Sequence, residues 1–204
     1  MRKKALEIAL QQISEHSDPK PDLEQYSTPA NIASDVLYFA HSQGDIVNKK
    51  VADLGCGTGI FAIGAKLLGA KDVIAVDIDD RAIEIAKENA RKSKVEVNFQ
   101  VCEIKDFNDK CDTVLQNPPF GAQKRHADRP FIDTALTISK VTYSLHASNT
   151  QKFIEKEAER LRAMITHKKE YQFEIKHTFK FHCQNKKNFE VVMFRMVKKG
   201  EENG

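Results

Sequence analysis

A glycine-rich turn joins an apolar segment to a helical one near residue 55. The sequence there reads Val51-Ala52-Asp53-Leu54-Gly55-Cys56-Gly57-Thr58-Gly59, and apolar residues with helical spacing follow it. Glycines at alternate positions permit a tight turn and let a ligand lie close to the backbone. Their spacing differs from the G-x-G-x-x-G pattern of nicotinamide- and flavin-binding turns. By itself the segment predicts a strand–turn–helix unit that is either a ligand cradle or only a tight connection.

Strand-like and helix-like segments alternate along the rest of the chain. Apolar spacing predicts strands at 51–55, 73–78, 95–102, 113–116, 141–146, 171–181 and 189–197. Helices are predicted at 5–13, after Thr28 as N-cap with Pro29 in the first turn, and at 60–68, 79–91, 131–138 and 153–164. This order indicates an α/β fold with a seven-stranded, mostly parallel sheet, an antiparallel C-terminal hairpin and helices on both faces. A chain of 204 residues is expected to form one domain over 1–204.

Composition excludes several classes of protein. Hydrophobic residues make up 41% and charged residues 30%, as in a globular domain, and no apolar run reaches the roughly 20 residues of a membrane span. The four cysteines lack the paired spacing of a zinc site or a disulfide framework, so we expect no metal and a reduced, cytoplasmic setting. Residues 140–199 contain 14 Lys and Arg against 6 Asp and Glu, which indicates either an anionic partner or a lysine-rich solvated surface.

Acidic residues follow the second and third predicted strands. Asp77 ends the second strand, where a carboxylate can accept hydrogen bonds from both hydroxyls of a ribose. Two further aspartates just beyond it are available to cap the next helix, which leaves Asp77 for a ligand. Glu103 follows the third strand and is a candidate acceptor for an adenine amino group, with Ile78 and Ile104 against the two faces of the ring. Alone, Glu103 is also compatible with a solvated surface.

The fourth predicted strand runs into Asn117-Pro118-Pro119-Phe120. Two prolines cannot continue a strand ladder, so they force a rigid turn. A plain chain reversal would explain the prolines but not the residues on either side of them. The side-chain oxygen of Asn117 and the carbonyl of Pro118 can accept the N–H groups of an exocyclic amine, and Phe120 offers a face for a flipped-out base. All four residues of this turn are therefore predicted to be catalytic.

The glycine-rich turn, the acidic strand ends and the Asn-Pro-Pro-Phe turn together resemble class I S-adenosylmethionine-dependent methyltransferases. The first is similar to the D-x-G-x-G-x-G motif of that class, and the last to the [DNS]PP[FYW] motif of its amino methyltransferases. The resemblance implies a Rossmann-like fold, S-adenosylmethionine as cofactor, and methyl transfer to adenine N6, guanine N2 or a protein glutamine. The cofactor-binding residues that it implies are Asp53, Gly55, Cys56, Gly57, Thr58, Gly59, Ile60, Asp77, Ile78, Glu103, Ile104 and Asn117.

Two further segments narrow the resemblance. Glu24-Gln25-Tyr26-Ser27-Thr28-Pro29 and Tyr143-Ser144-Leu145-His146, taken with the motifs above, are similar to the methyltransferase-like protein 5 family and its archaeal relatives. That family implies cofactor-lid helices over 1–45, with Gln25 and Thr28 at the methionine end and Tyr26 closing the site, and a Rossmann-like core over 46–200. It also implies N6-methylation of adenosine in small-subunit ribosomal RNA and a small zinc-binding activator protein as partner. Glu103 departs from the aspartate that the family more often carries.

A basic loop follows the predicted catalytic turn. Lys124, Arg125, His126 and Arg129 are candidates for RNA phosphate contacts, although an ordinary solvated loop explains them equally well. Little more than a catalytic core is visible, which favours RNA recognised by shape or through a partner on an edge strand of the sheet. Two other functions remain open. One is a protein-glutamine methyltransferase of release factors, and the other is an RNA-binding protein that keeps a cofactor pocket without catalysis.

Overall fold

The computed structural model describes residues 1–14, 27–120, 127–175 and 187–199. Its helices are α1 (Lys3–Leu10), α2 (Ala30–Ser42), α3 (Ile60–Leu67), α4 (Asp80–Lys92), α5 (Arg129–Ile138) and α6 (Gln151–Arg160). Its strands are β1 (Lys50–Leu54), β2 (Asp72–Asp77), β3 (Asn98–Val101), β4 (Cys111–Gln116), β5 (Ser139–Ala147), β6 (Ala163–Ile175) and β7 (Lys187–Lys198). Five predicted site residues lie outside the described residues: Gln25, Tyr26, Lys124, Arg125 and His126.

The described strands form one seven-stranded sheet in the order β3-β2-β1-β4-β5-β7-β6. Neighbours from β3 to β5 run parallel, whereas β7 is antiparallel to both β5 and β6. The predicted mostly parallel sheet with an antiparallel C-terminal hairpin is therefore confirmed. From β1 the chain adds β2 and β3 on one side of the sheet and then β4 and β5 on the other, so the direction of strand addition reverses between β1 and β4. Ligands of open α/β sheets bind beyond the carboxyl ends of the strands at such a point. Leu54 pairs with Gln116 at those ends, so the two predicted functional turns begin side by side.

Alternation along the central strands gives each face of the sheet its own core. On one face Leu115 packs in a cluster with Leu37 of α2 and Ile83 of α4. On the other face Val114 packs in a cluster with Ala135 of α5. Helices α1 to α4 contribute to the first core and α5 to the second, while α6 packs with α5 and β7 in a third cluster, which confirms helices on both faces. Among the described helices, none combines the length and apolar character needed to cross a membrane.

The predicted helix at 153–164 is wrong in its last part. α6 ends at Arg160, and Arg162 turns the chain with a φ of 55°. β6 then begins at Ala163, well before the strand predicted at 171–181. β6 is an edge strand, and within 163–170 only Ala163 is buried. That stretch therefore lacks the apolar–polar alternation from which a half-buried strand is recognised.

Thr28 does not cap α2, contrary to the prediction. The residue before the helix is Pro29, whose φ of −57° and ψ of 138° are extended, so the helix begins at Ala30. No side chain among the described residues accepts a capping hydrogen bond at this end. Thr28 is instead buried, at 7% exposure, and its hydroxyl contacts the turn after β4.

Candidate functional site

The glycine-rich turn is tied to the end of β2 by hydrogen bonds. The N–H groups of Gly55 and Cys56 donate to the carbonyl of Val76, at 2.8 and 2.9 Å. The Gly57 N–H donates to Asp77 Oδ2 at 2.8 Å. The turn between β1 and α3 and the acidic end of β2 therefore form one unit at the carboxyl edge of the sheet.

Two glycines of this turn are required for different reasons. A Cβ at Gly55 would lie 2.8 Å from Phe131 Cε1, so this glycine is needed for packing against α5. A Cβ at Gly57, where φ is 51°, would meet no heavy atom of the described residues within 4 Å. Gly57 therefore borders open space, which is the property expected of a backbone that a ligand approaches closely.

Asp53, the acidic residue that leads the turn, is buried beneath the start of α3. Its Oδ2 accepts from the Ala62 N–H at 2.9 Å, and the residue is 1% exposed. Burial raises the pKa of Asp53 to about 7, against the lowering effect of the Ala62 N–H, and the nearby Asp77 carboxylate raises it further. Near neutral pH this carboxyl group is poised between its charged and neutral forms, and a cationic ligand above it would favour the charged form.

Asp77 keeps hydrogen-bonding capacity for a ligand. Oδ2 accepts from Gly57 and Oδ1 accepts from the Asp79 N–H at 3.0 Å, so each oxygen retains a second lone pair. Burial raises the pKa of Asp77, and hydrogen bonds from the backbone N–H groups of Asp79, Gly57 and Ile78 oppose that rise. Asp79 caps α4 by accepting from the Arg81 N–H, so Asp77 is not needed as a cap. This placement suits the ribose hydroxyls that the sequence assigned to Asp77.

The predicted adenine contacts lie beyond β2 and β3. Ile78 is 51% exposed, whereas Ile104 is 8% exposed in a short 3-10 turn after β3. Glu103 has half of its side chain exposed and forms an ion pair with Lys105 at 2.7 Å. The open face of Ile78 agrees with an adenine site, while the role of Glu103 stays a prediction.

The remaining residues of the turn support its shape. Cys56 is buried, and burial raises the pKa of its thiol well above the ordinary value, so it remains protonated. The Thr58 carbonyl accepts from Asn89 Nδ2 at 3.1 Å, which ties the turn to α4. Gly59 precedes α3 with a φ of 87°, and Ile60 is the first residue of that helix. Their contacts with a cofactor stay predictions.

The turn after β4 presents a buried acceptor. Asn117 Nδ2 donates to Thr28 Oγ1 at 3.0 Å, so the amide nitrogen is already held. Asn117 Oδ1 is shielded from solvent and has no hydrogen-bond partner among the described residues. A buried acceptor of this kind costs free energy unless a ligand supplies the donor. The structure thus joins two predicted residues that lie far apart in the sequence.

Phe120, the last residue of the turn, is held by two aromatic rings of the C-terminal hairpin. Its ring centroid lies 6.0 Å from that of Phe173 in β6 and 5.0 Å from that of Phe189 in β7. Sequence reasoning missed both partners. Their apolar–polar alternation predicted strands, but nothing in that pattern indicates which distant turn a strand will contact. The hairpin therefore sets the orientation of the ring on which a base is expected to stack.

Arg129 is the one predicted RNA-binding residue within the described part of the chain. It is the first residue of α5, its side chain is 51% exposed, and its Nη2 lies 3.6 Å from Glu157 Oε1. An exposed guanidinium with one loose partner remains available to a phosphate. Within the described ranges, no three His, Cys, Asp or Glu residues are grouped closely enough to hold a metal ion.

The described residues fit S-adenosylmethionine. Open space at Gly57 admits the molecule to the backbone, and Asp77 has lone pairs left for its ribose. The exposed face of Ile78 suits its adenine, and the buried Asp53 carboxyl suits its positive charges. The unpartnered oxygen of Asn117 lies at the neighbouring strand end, where an acceptor amine would have to meet the methyl group.

Comparisons with known proteins agree with this geometry. Residues 39–118 match the model of the family described as ribosomal protein L11 methyltransferase (PrmA). An uncharacterised protein of Methanocaldococcus jannaschii is 44% identical over 99% of this chain and 97% of its own length. The Danio rerio protein named rRNA N(6)-adenosine-methyltransferase METTL5 is 36% identical over 97% of this chain and 99% of its own length.

A solved structure extends the likeness to three dimensions. The crystal structure of a candidate RNA methyltransferase from Pyrococcus horikoshii has a TM-score of 0.91 and 42% identity. The match covers 97% of this chain and 98% of that one. The chain therefore belongs to the METTL5 family of S-adenosylmethionine-dependent methyltransferases.

Proposed function

We propose that this protein transfers a methyl group from S-adenosylmethionine to N6 of an adenine in small-subunit ribosomal RNA. The observation that carries the proposal is the buried Asn117 Oδ1, which has no partner among the described residues while Thr28 holds the amide nitrogen. The donor that fits such an acceptor is an N–H group on a planar amine. The relatives named as rRNA N6-adenosine-methyltransferases support adenine as the base and ribosomal RNA as the polymer.

The turn after β4 makes the amine of adenine a better nucleophile. In the free base the N6 lone pair is conjugated into the ring. Asn117 Oδ1 and the carbonyl oxygen of Pro118 accept the two N–H groups, which favours a pyramidal nitrogen with its lone pair free. S-adenosylmethionine, when bound, would supply the methyl group: the sulfonium S–C bond would break as the N6–C bond forms, S-adenosylhomocysteine would leave, and N6 would lose one proton to water. Pro119 keeps the turn rigid, and holding the two reactants in line provides much of the rate enhancement.

Phe120 provides the surface for the target base. A base that is unstacked from RNA gains about 1–3 kcal/mol by stacking on an aromatic side chain. Phe173 and Phe189 keep the Phe120 ring in place, so less side-chain freedom is lost when the base binds. This arrangement favours single-stranded or bulged RNA as the substrate.

Phosphate contacts are expected beside the base. Arg129 is exposed at the start of α5, and Lys124, Arg125 and His126 precede it in the sequence. Lys168 and Lys169 on the edge strand β6 form ion pairs with Glu155 and Asp35, so we do not assign them to phosphate. Phosphate contacts carry no base sequence, so recognition of one adenine depends on RNA shape or on a partner.

A small zinc-binding activator protein is part of the proposal, carried over from the family resemblance. The docking surface is an edge strand, since an unpaired edge offers backbone groups to another chain. β3 is one edge of the sheet and exposes 53% of Val101. An unchanged elution volume on size-exclusion chromatography with the activator would contradict this part. A cytoplasmic location, and a single domain over 1–204 with cofactor-lid helices over 1–45, also remain predictions.

The test is methyl transfer to undermodified ribosomal RNA from S-adenosylmethionine labelled in the methyl group. Digestion to nucleosides and mass spectrometry should find the label in N6-methyladenosine. Asn117→Ala should abolish transfer, and Thr28→Val should reduce it because the amide loses its anchor. Asn108→Ala is the matched control, since Asn108 is exposed and lies outside the site.

Other outcomes separate the alternatives. Label in N2-methylguanosine would keep the mechanism and replace adenine by guanine. Label in a release factor and never in RNA would favour a protein-glutamine methyltransferase. Full transfer by Asn117→Ala would refute the role of the Oδ1 acceptor. Reactions are run with and without the activator and with intact small subunits, so that inactivity reflects the chain and not a missing partner.

A further inference from the structure

One face of β5 is polar although it is buried beneath α5 and α6. Thr142, Ser144 and His146 alternate with residues of the opposite core, and each is at most 2% exposed. Their partners on β7 include Val192 and Phe194, which belong to an apolar cluster. Apolar side chains at these positions would pack without polar groups to satisfy, so stability alone does not account for this polar face.

A chain of hydrogen bonds runs along the polar face. Gln116 Nε2 donates to Ser144 Oγ at 2.9 Å, and Ser144 Oγ lies 2.6 Å from His146 Nε2. His146 Nδ1 lies 3.2 Å from Asp128 Oδ2. A neutral imidazole with its proton on Nδ1 satisfies every bond, because Ser144 then donates to Nε2. Burial lowers the pKa of His146, against the effect of the Asp128 carboxylate, and so favours that neutral form.

The two ends of this chain adjoin functional positions. Gln116 immediately precedes Asn117, and Asp128 immediately precedes Arg129. Asp128 occupies the N-cap position of α5, yet its side chain caps none of the N–H groups in that described helix. Aspartate at this position usually caps its own helix. Its carboxylate contacts His146 instead, so the start of α5 is bound to β5 and, through β5, to the catalytic turn.

We propose that His146 is a positioning residue for RNA methylation, because it fixes the distance between the amine acceptor Asn117 and the phosphate-binding Arg129. The inference rests on the proposed function and deepens it. The residue is buried, at 2% exposure, and acts through its hydrogen-bonded neighbours Ser144 and Asp128. RNA held by a phosphate at one point must present its adenine at the other. A misplacement of about 1 Å between two such points can reduce the rate by about 100-fold.

Three substitutions at His146 separate its two bonds. His146→Leu removes both bonds. His146→Asn keeps a donor near the Nδ1 position and so retains the bond to Asp128. His146→Gln keeps a polar group near the Nε2 position and so retains the bond to Ser144.

We expect the kinetic constants to follow the bonds that each variant keeps. His146→Leu should lower kcat/KM for RNA by about 10- to 100-fold. His146→Asn should restore KM for RNA but not kcat, and His146→Gln should restore kcat but not KM. Calorimetric binding of S-adenosylmethionine should stay within about twofold of wild type in all three, as expected for a separate site.

Thr142→Val is the matched control. Thr142 lies on the same strand and face, is fully buried, and forms a hydrogen bond of 2.9 Å with Ser139 outside the chain that links Gln116 to Asp128. It should lower the melting temperature while leaving kcat and KM within about twofold of wild type. If His146→Leu behaves like Thr142→Val in both kinetic constants, His146 is only structural and the proposal is overturned.

A second variant covers the case in which His146→Leu fails to fold. Ser144→Ala breaks only the link between His146 and Gln116, so it should lower kcat and leave KM for RNA unchanged. An unchanged kcat for Ser144→Ala would overturn the proposal. Wild-type protein that forms no N6-methyladenosine overturns the proposed function instead. In that case the role of His146 is tested by measuring RNA binding without cofactor by fluorescence anisotropy. RNA should bind His146→Asn more tightly than His146→Gln, and equal affinities would refute the positioning role of His146.

Discussion

Gly57→Ala tests the cofactor cradle, because the new methyl group enters open space and displaces no described atom. A Cβ at Gly57 has no described heavy atom within 4 Å. The φ of 51° is left-handed, where a Cβ costs about 1–2 kcal/mol of stability. If the cofactor lies against this backbone, the methyl group overlaps it. Overpacking of that kind costs about 1–3 kcal/mol, which is about a 5- to 150-fold increase in Kd.

Gly44→Ala provides a matched control for backbone strain. Gly44 has a φ of 76°, a Cβ there also meets no described atom within 4 Å, and it precedes β1 at the opposite edge of the sheet. Thermal unfolding should show similar losses of stability for the two variants, while isothermal titration calorimetry with S-adenosylmethionine should show weaker binding for Gly57→Ala alone. Equal Kd values for the two variants would refute the assignment of Gly57 to the cradle.

Three further predictions concern buried charge and the aromatic cluster. Folding raises the pKa of Asp53 from 3.8 to about 7, so the folded state disfavours the charged form. The free energy of unfolding should therefore fall as the pH rises from 3.8 to about 7, and urea titrations of Asp53→Asn should show a smaller fall. Burial opposes the charge of Asp35, but hydrogen bonds from Lys169, Lys3 and Tyr171 prevail and lower its pKa to about 2. Wild type should therefore lose stability as the pH falls below 3.8, and Asp35→Asn should remove that loss. Phe173→Leu should lower kcat/KM for RNA by about 2- to 10-fold, the value of one aromatic pair, and unchanged kinetics would contradict a role in holding Phe120.

The central sheet and its two turns could be predicted because their signals are local. β1, β2 and β4 are short strands that are buried along most of their length, and each ends at or near a glycine, an aspartate or a proline. Residues that follow parallel strands must meet at one edge of the sheet. The sequence alone therefore predicts that Asp53, Asp77 and Asn117 lie close together.

The rest depended on contacts between distant segments. Thr28 looked like a helix cap because Pro29 follows it, but its hydroxyl anchors a residue 89 positions away. Phe173 and Phe189 gave a strand pattern that could not indicate Phe120 as their neighbour. The first half of β6 was missed because an exposed edge strand needs no apolar alternation.

Buried polar side-chain atoms differ in their hydrogen bonding between the carboxyl ends and the amino ends of the parallel strands. Among the described residues, the buried side-chain atoms without a hydrogen-bond partner are Gln116 Oε1 and Asn117 Oδ1, which are adjacent in the chain. Each costs about 1–3 kcal/mol while it is unpaired. Asp45 precedes β1 at the opposite edge and is also buried, yet its Oδ2 accepts from Tyr143 and Arg195 at 2.5 and 3.0 Å. The Asp45 oxygen, which supports the fold, thus has two donors, whereas Asn117 Oδ1 has none among the described residues and is left open for the substrate amine of the proposed reaction.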